Sequence, residues 1–295
     1  MSGKSEPPDV TLEGYARKTR MTKAIRIIVC VFLCLMSLLP FLMLFVNATR
    51  DSNSIKTGIT LLPSKYLLKN IASLAEKSKG LGIDFWHGML NSFKIAVPAT
   101  LLSVYFSALT AYGIYVYNFK LKKFAFAFIL AVMIVPNTVA AIGFYRFMLK
   151  LGLSDSYIPL IIPAIAAPCV VFFMRQYFQS ALSVEMVEAA RIDGSGELRT
   201  FNTIVLPIAK PALATQAIFQ FIASWNNLFM PTLIISSDSK KTLPMFVQIL
   251  KSDQFRTDYG MVYLGLAATI LPLFIVYFLL SKYIVAGVAL GGVKE

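Results

Sequence analysis

Two groups of polar and charged side chains are candidates for a functional role, and both lie in the second half of the chain. The first is the charged stretch 183–207, which lies between two long apolar runs. A polar segment flanked in this way must lie in water beside a membrane. We predict two short helices here, with Ser183 and Ser195 as their N-caps and a break at Asp193-Gly194. Pro207 follows where the sequence becomes apolar again, and it fits a first helical turn or a kink.

The composition of this stretch suits contact with another protein. Ala189 and Ala190 leave one helix face small, so a partner surface can approach it closely. Glu188 can supply a charge-assisted hydrogen bond at the edge of that face. The alternative is an ordinary helical hairpin at the membrane surface.

The second group is a row of polar residues in an apolar run. Four residues at spacings of four, three and four share one helical face: Gln216, Gln220, Ala223 and Asn227. Ser224 lies at the edge of this face and Trp225 beside it. Amides in a membrane helix must find partners, so the face should point into the helix bundle or a wet pathway. Both interpretations stay open: a solute pathway, or hydrogen bonds that only hold helices together. Asn137, after Pro136, is a second pathway candidate, with a proline-broken helix as the alternative.

The elements that position these groups are membrane-spanning helices. The chain is 57% hydrophobic with a mean hydropathy of +0.68, above the usual range of soluble domains. We predict an all-α, polytopic membrane protein with an N-terminal segment 1–24, a transmembrane domain 25–288 and a tail 289–295. The predicted spans are 25–46, 91–117, 124–148, 157–177, 208–235 and 262–284.

The positive charge indicates orientation rather than nucleic-acid binding. The net charge is +13, but the basic residues cluster at the ends of the apolar segments, and no RNA- or DNA-binding motif accompanies them. Lys120, Lys122 and Lys123 in the short loop after the second span mark a cytoplasmic loop. Six spans then leave both termini and stretch 183–207 in the cytoplasm.

Several kinds of chemistry are excluded. The six predicted spans contain no Asp, Glu or His, so a carrier driven by protons or sodium is disfavoured. Cys30, Cys34 and Cys169 all lie in apolar runs and suit small buried side chains better than a metal site. No nucleophile–base set or cofactor-binding loop is present. We therefore expect no catalysis, no metal and no cofactor on this chain.

The motif in stretch 183–207 resembles a known family. Glu188-Ala189-Ala190, Gly194 and Leu206-Pro207, with Asp193 before the glycine, resemble the EAA loop of bacterial ABC importer permeases. Further segments are similar to the maltose-type carbohydrate branch: Asn91-Ser92, Arg175 to Phe178, Ser224 to Asn227, and Gly291 to Lys294.

The resemblance implies a fold, a function and partners. It implies a type I importer permease in the bacterial inner or plasma membrane, which carries a sugar or oligosaccharide by alternating access. It also implies two ATPase subunits that bind ATP and Mg, a second permease subunit, an extracytoplasmic solute-binding protein and membrane lipid. The residues from Glu188 to Pro207 would form the ATPase-coupling helix and its continuation. A non-sugar solute in the same fold, or a self-contained carrier, is the alternative.

Overall fold

A computed structural model of the chain describes residues 12–80, 84–252 and 258–291. All secondary structure in these ranges is helical, which confirms the predicted all-α class. The α-helices, numbered in chain order, are α1 (Leu12–Ala48), α2 (Ser52–Thr57), α3 (Leu67–Gly80), α4 (Phe85–Val116), α5 (Lys122–Ile134), α6 (Asn137–Lys150), α7 (Ile158–Ile161), α8 (Pro168–Ala181), α9 (Val184–Ile192), α10 (Glu197–Thr200), α11 (Leu206–Ile208), α12 (Lys210–Trp225), α13 (Phe229–Ile234), α14 (Leu243–Ser252) and α15 (Tyr259–Gly291). Parts of the predicted terminal segments, residues 1–11 and 292–295, lie outside the described residues.

The number of possible membrane spans agrees with the prediction. Within the described ranges, four helical stretches are long and apolar enough to cross a membrane: Thr19–Ala48, Phe85–Val116, Ile158–Ala181 and Tyr259–Ile284. Two more are bent pairs, α5 with α6 at 98° and the helical run Glu197–Ile208 with α12 at 84°. If each bent pair counts as one span, the described part of the chain has six.

Proline explains where the third and fourth spans are interrupted. The predicted break at Pro136 is present: α5 ends at Ile134, and Val135 is extended with ψ of 121°. A residue before proline avoids the helical region because the proline ring clashes with it. In the fourth span a 3-10 segment, Ile162–Ile165, separates α7 from α8, and Pro168 opens α8.

The fifth predicted span, 208–235, is interrupted in the structure. Helix α12 ends at Trp225, and α13 begins only at Phe229. The cause is Pro231, which has no N–H to donate to the carbonyl of Asn227 and whose ring would clash with it in a continuous helix. The chain leaves the helical path after Asn226, and Pro231 then occupies the first turn of α13, where proline is tolerated.

The described residues form two compact units, one made of 12–70 with 258–264 and the other of the described residues from 71 to 252 with 265–291. In the second unit α4 is the central helix and contacts α5, α8, α12 and α14. Small residues recur along its buried face and let neighbouring helices approach closely: Ala96, Ala99, Ser103, Ser107, Ala108 and Ala111.

The first unit contains a buried arginine that satisfies its donors with oxygens. The guanidinium of Arg50 donates to Asn47 Oδ1 at 3.0 Å, to the carbonyl of Ser54 at 2.5 Å and to that of Gly58 at 2.9 Å. Asn70 donates through Nδ2 to the carbonyls of Ala48 and Arg50 at 2.8 and 2.9 Å. These hydrogen bonds join the end of α1 to the segment that follows it, up to Asn70.

Candidate functional site

Helix α9 carries the Glu188 motif and ends in a Schellman motif. Gly194 has a φ of +77°, the left-handed conformation that favours glycine. The amide of Ser195 donates to the carbonyl of Ala190 at 2.9 Å, and that of Gly194 to Arg191 at 3.0 Å. These are the two bonds that define the motif, so Gly194 ends α9 as predicted.

The predicted serine caps are not formed. Ser183 precedes α9, but its hydroxyl donates to Glu185 rather than accepting from the first backbone amides. The next helix is preceded by Gly196, because Ser195 already belongs to the turn that ends α9. The Ser195 hydroxyl instead accepts from Thr200 Oγ1 at 2.9 Å.

The helical run after Gly196 contains a π segment, Phe201–Val205, followed by α11 with Leu206 and Pro207. The amide of Leu206 donates to Phe201, five residues back. Pro207 has no amide hydrogen to give to Thr203, and the shift to five-residue bonds occurs beside it. The run then bends by 84° into α12, so the predicted kink near Pro207 is present.

The inward face of α9 packs on its own chain. Val187, Phe201 and Val205 are fully buried in one apolar cluster with Phe178 on α8 and Tyr112 on α4. Ala190 is also buried, with 6% of its surface exposed. The prediction that both alanines face a partner therefore needs correction, because Ala190 lets α9 lie close to the bundle and only Ala189 faces outward.

The outward face of α9 and α10 combines acidic and apolar side chains. Glu188, Ala189 and Asp193 are exposed. Met186, Leu198 and Ile192 are exposed as well, and Ile192 has 87% of its surface accessible. Sequence reasoning missed these three. The sequence did carry a signal for them. Apolar residues alternate with charged residues in this short segment, so some apolar side chains must share the exposed face with the charges.

A polar network, which we call the α9 clasp, ties α9 and α10 to the end of α4. Arg191 donates from Nε to Glu197 Oε1 at 2.7 Å and from a terminal nitrogen to Oε2 at 3.3 Å. The Tyr112 hydroxyl donates to Glu197 Oε2 at 3.3 Å, and the Arg191 guanidinium lies 5.2 Å from the Tyr117 ring centre. The Tyr115 hydroxyl also donates to the carbonyl of Leu182, just before α9, at 3.1 Å.

Each ion of the clasp stabilises the charge of the other. The hydrogen bond from Arg191 lowers the pKa of Glu197, and the bond to Glu197 raises the pKa of Arg191. Their side chains remain 34% and 45% exposed, so water screens the attraction between them.

A second polar network, the Asp155 latch, lies at the other end of α4. Asp155 accepts from the amides of Ser236 and Ser237, both at 2.9 Å, and from Lys240 Nζ at 2.8 Å. Asn91 Nδ2 donates to the carbonyls of Ser239 and Lys241 at 2.8 and 3.1 Å. Ser92 Oγ accepts from the amide of Leu243 at 2.9 Å. The Asn91-Ser92 pair thus anchors the loop that follows α13.

The structure places the predicted row of amides on two separate segments. Gln216 is buried, with 8% exposed, while Gln220 and Ser224 are half-buried. No hydrogen bond joins these three side chains to the described part of the chain in the structure. Asn227 does not continue their face, because α12 ends two residues before it. Asn137 begins α6, but its side chain lies outside the described residues.

Trp225 does not face a pathway, and its assignment to one is corrected. It is 1% exposed, and its Nε1 donates to the carbonyl of Thr269 on α15 at 3.0 Å. Its ring centre lies 4.8 Å from that of Phe93 and 5.5 Å from that of Phe221. Its indole therefore joins α4, α12 and α15 in the core.

Known proteins share this architecture and sequence. Residues 103–289 match the family model described as binding-protein-dependent transport system inner membrane component. The arabinooligosaccharides transport system permease protein AraQ of Halalkalibacterium halodurans is 35% identical over 266 residues, which cover 89% of this chain and 93% of the relative. The lactose transport system permease protein LacG of Rhizobium radiobacter is 30% identical over 259 residues, covering 88% and 92%.

A relative with a different named solute and a solved structure extend the comparison. The sn-glycerol-3-phosphate transport system permease protein UgpE of Escherichia coli is 31% identical over 253 residues, covering 85% of this chain and 90% of the relative. The crystal structure of a bacterial ABC transporter involved in the import of the acidic polysaccharide alginate has a chain of the same fold, with a TM-score of 0.75 and 23% identity. That match covers 90% of this chain and 98% of that one. The chain belongs to the family of binding-protein-dependent transport system inner membrane components.

Proposed function

We propose that this chain is the permease subunit of an ATP-driven importer, in which α9 couples the membrane helices to a separate ATPase. The observation that carries this proposal is the exposed acidic and apolar face of α9, attached to α4 by the α9 clasp. ATP and Mg would bind to the partner ATPase subunits, and this chain would undergo alternating access between inward-open and outward-open states.

The orientation follows from the positive charges. Lys120 lies in the short loop between α4 and α5, and Lys122 and Lys123 lie in the first turn of α5, next to the end of α4 that holds the clasp. Basic residues in short loops remain in the cytoplasm. Both chain termini and α9 would then lie on the cytoplasmic side, and the Asp155 latch on the outer side of the bacterial inner membrane.

The chemistry of the α9 face suits a protein groove. Ile192 and Met186 can be buried against a partner, and each buried aliphatic side chain contributes about 1.5–3 kcal/mol. Glu188 can accept a charge-assisted hydrogen bond beside them. Because Val187 and Ala190 pack on the bundle, a push on this face would move the end of α4 with it.

The family relationship supports the remaining partners. We propose a second, distinct permease subunit, two ATPase subunits and an extracytoplasmic solute-binding protein that reaches the outer side of the chain. Membrane lipid surrounds the apolar helices.

The solute is proposed to be a sugar or oligosaccharide. The relatives named for arabinooligosaccharides and lactose support this class, and UgpE, named for sn-glycerol-3-phosphate, marks the alternative. A self-contained carrier is disfavoured because the predicted spans have no acidic side chain to bind a coupling ion.

The test of coupling is co-purification of the tagged chain with its partners, followed by ATPase measurement in lipid. We expect Glu188→Lys to abolish retention or stimulation of the ATPase while the chain still inserts. Glu185→Lys, the same charge change in the first turn of α9, is the control and should retain most activity. A chain that binds no ATPase and still moves solute alone would contradict the proposal, and equal loss in both variants would contradict the role of Glu188.

The test of substrate class uses the complete importer in proteoliposomes with a solute panel. The panel contains arabinotriose, lactose and sn-glycerol 3-phosphate, each presented with its binding protein. Uptake of a sugar above the level without ATP supports the proposal. Uptake of sn-glycerol 3-phosphate alone would favour the non-sugar alternative.

A further inference from the structure

We infer that this chain contacts the transported solute directly, in a cavity between α6, α7 with its following 3-10 segment, and α13, and that this cavity accepts an uncharged sugar ring. The inference rests on the proposed function. It adds which residues contact the solute and that the solute is uncharged. The cavity has a volume of about 470 Å³, within the range of small-molecule sites. Its lining includes Thr138, Ala141, Phe144, Pro163, Asn227 and Phe229.

Interrupted helices meet at this cavity. Thr138 lies just after the break at Pro136, Pro163 lies in the 3-10 segment, and Asn227 lies in the break between α12 and α13. Backbone that leaves the helical path at membrane depth exposes polar groups, which is tolerated where the backbone lines a cavity containing water or solute. In transporters, discontinuous helices mark binding sites for this reason.

Asn227 offers a hydrogen-bond donor to the cavity. Its Oδ1 accepts from the amide of Met230 at 3.2 Å, at the start of α13. This bond fixes the side chain and leaves the Nδ2 group without a partner in the described part of the chain. A half-buried amide donor held in this way can bind a hydroxyl oxygen. Thr138 adds an exposed hydroxyl on the opposite helix.

Two aromatic rings complete the features that a sugar needs. Phe144 is half-buried and Phe229 is half exposed, and both line the cavity. A pyranose or furanose ring has an apolar C–H face and polar edges, so it packs on an aromatic ring while its hydroxyls bond to amides and hydroxyls.

The cavity does not suit an anion. None of the described residues that line it carries a charge. A phosphate or carboxylate that leaves water needs a counter-charge, and the first turn of α6 provides only a partial positive charge. The cavity therefore favours neutral sugars over phosphorylated or acidic solutes.

The experiment uses the complete importer in proteoliposomes, with arabinotriose, lactose and sn-glycerol 3-phosphate as probes. Asn227→Asp keeps the Oδ1 acceptor for Met230 and removes the donor. We expect sugar uptake to fall about fivefold, the effect of one lost hydrogen bond, and the arabinotriose-to-lactose ratio to change. Asn226→Asp, an exposed neighbour outside the cavity, is the matched control and should leave the uptake ratio unchanged.

Two further variants keep the inference testable if Asn227→Asp fails to assemble. Thr138→Val removes only the hydroxyl, and Phe229→Leu removes only the ring. Phe229→Leu should lower sugar uptake, whereas Phe219→Leu, which changes an exposed ring on α12 outside the cavity, should not.

The outcomes separate this inference from the proposed function. If the wild-type importer carries a sugar and the cavity variants leave its uptake and selectivity unchanged, the contact site is wrong and the importer function stands. If Asn227→Asp lowers every uptake equally, Asn227 has only a structural role. If the wild type carries sn-glycerol 3-phosphate faster than either sugar, the neutral-sugar assignment is wrong. If the assembled wild type carries no sugar, the proposed substrate class fails with it.

Discussion

The two ends of α4 carry polar networks built on different principles. The Asp155 latch satisfies one carboxylate with two backbone amides, the Ser237 hydroxyl and a lysine, and Asn91 bonds only to backbone carbonyls. The α9 clasp consists mainly of side-chain contacts, between Arg191, Glu197 and Tyr112, and has one bond to backbone, from Tyr115 to Leu182. Hydrogen bonds to backbone atoms fix a loop in one geometry. Contacts between long side chains can exchange partners at a low cost in free energy. The latch is therefore suited to hold the loop after α13 in place, and the clasp is suited to transmit movement between α9 and α4.

Each network also lies beside a residue with a positive φ, and the two residues differ. Asp155 has a φ of +55° and Gly194 a φ of +77°. Glycine adopts this conformation without strain, while an aspartate is tolerated there when its side chain bonds locally. The latch therefore depends on the aspartate side chain at position 155. The turn after α9 depends on Gly194 having no side chain.

The largest expected effect is at the latch. Asp155→Ala removes the acceptor of four donors and should destabilise the chain by about 2–3 kcal/mol in thermal unfolding in detergent. Asp155→Gly loses the same bonds but relieves the backbone strain, so it should be less destabilising by about 1 kcal/mol. Asp238→Ala, on the same loop with one exposed ion pair to Lys241, is the control and should change little. If Asp155→Ala is as stable as wild type, the latch does not fix the structure more firmly than the clasp does.

The pH dependence of the latch gives the second part of this test. Bonds from Lys240 and Ser237 hold the pKa of Asp155 well below its usual range. A lowered folded-state pKa contributes stability above the unfolded pKa of about 4, and this is lost as the pH falls through the folded value. The Tm difference between wild type and Asp155→Asn should be constant from about pH 7 to 5 and shrink below about pH 4. A Tm difference that increases as the pH falls below about 4 would contradict the lowered pKa of Asp155.

A smaller effect is expected at Gly194. Gly194→Ser should cost about 1–2 kcal/mol, because a side chain is strained at this φ although no atom lies near its Cβ position. Gly196→Ser is the matched control, since Gly196 has a φ of −68° in equally open space and serine is a good N-cap. The measurement is thermal unfolding together with ATPase retention. If both serines behave alike, the left-handed turn does not determine the position of α9.

The smallest effect on stability is expected at the clasp. Arg191→Glu and Glu197→Arg should each lower transport per ATP hydrolysed by about two- to fivefold, with little change in Tm, because the pair is exposed. The double exchange should restore part of the ratio. A Tm loss as large as that of Asp155→Ala, or single variants without effect on coupling, would show that the clasp has no transmitting role.

These two regions also show how far sequence could lead. The helix break at Pro136 and the end of α9 at Gly194 were predictable, because proline and glycine act on the adjacent backbone. The inward packing of Ala190, the burial of Trp225 and the end of α12 were not. They depend on contacts between segments that are distant in sequence, such as Trp225 with Thr269, or on Pro231, which lies six residues beyond the last residue of α12. The pairing of Arg191 with Glu197 likewise requires the turn between them to bring the two side chains together.

The length of α4 sets a condition on the surrounding bilayer. Asn91 and Tyr112, the α4 residues of the latch and the clasp, are 21 positions apart on this helix. At 1.5 Å per residue this is about 31 Å, close to the hydrocarbon thickness of a typical bilayer. A membrane several ångströms thicker must tilt α4, or it draws one of the two networks out of water and into acyl chains. The lipid chain length of the host therefore determines whether both ends of α4 remain hydrated together.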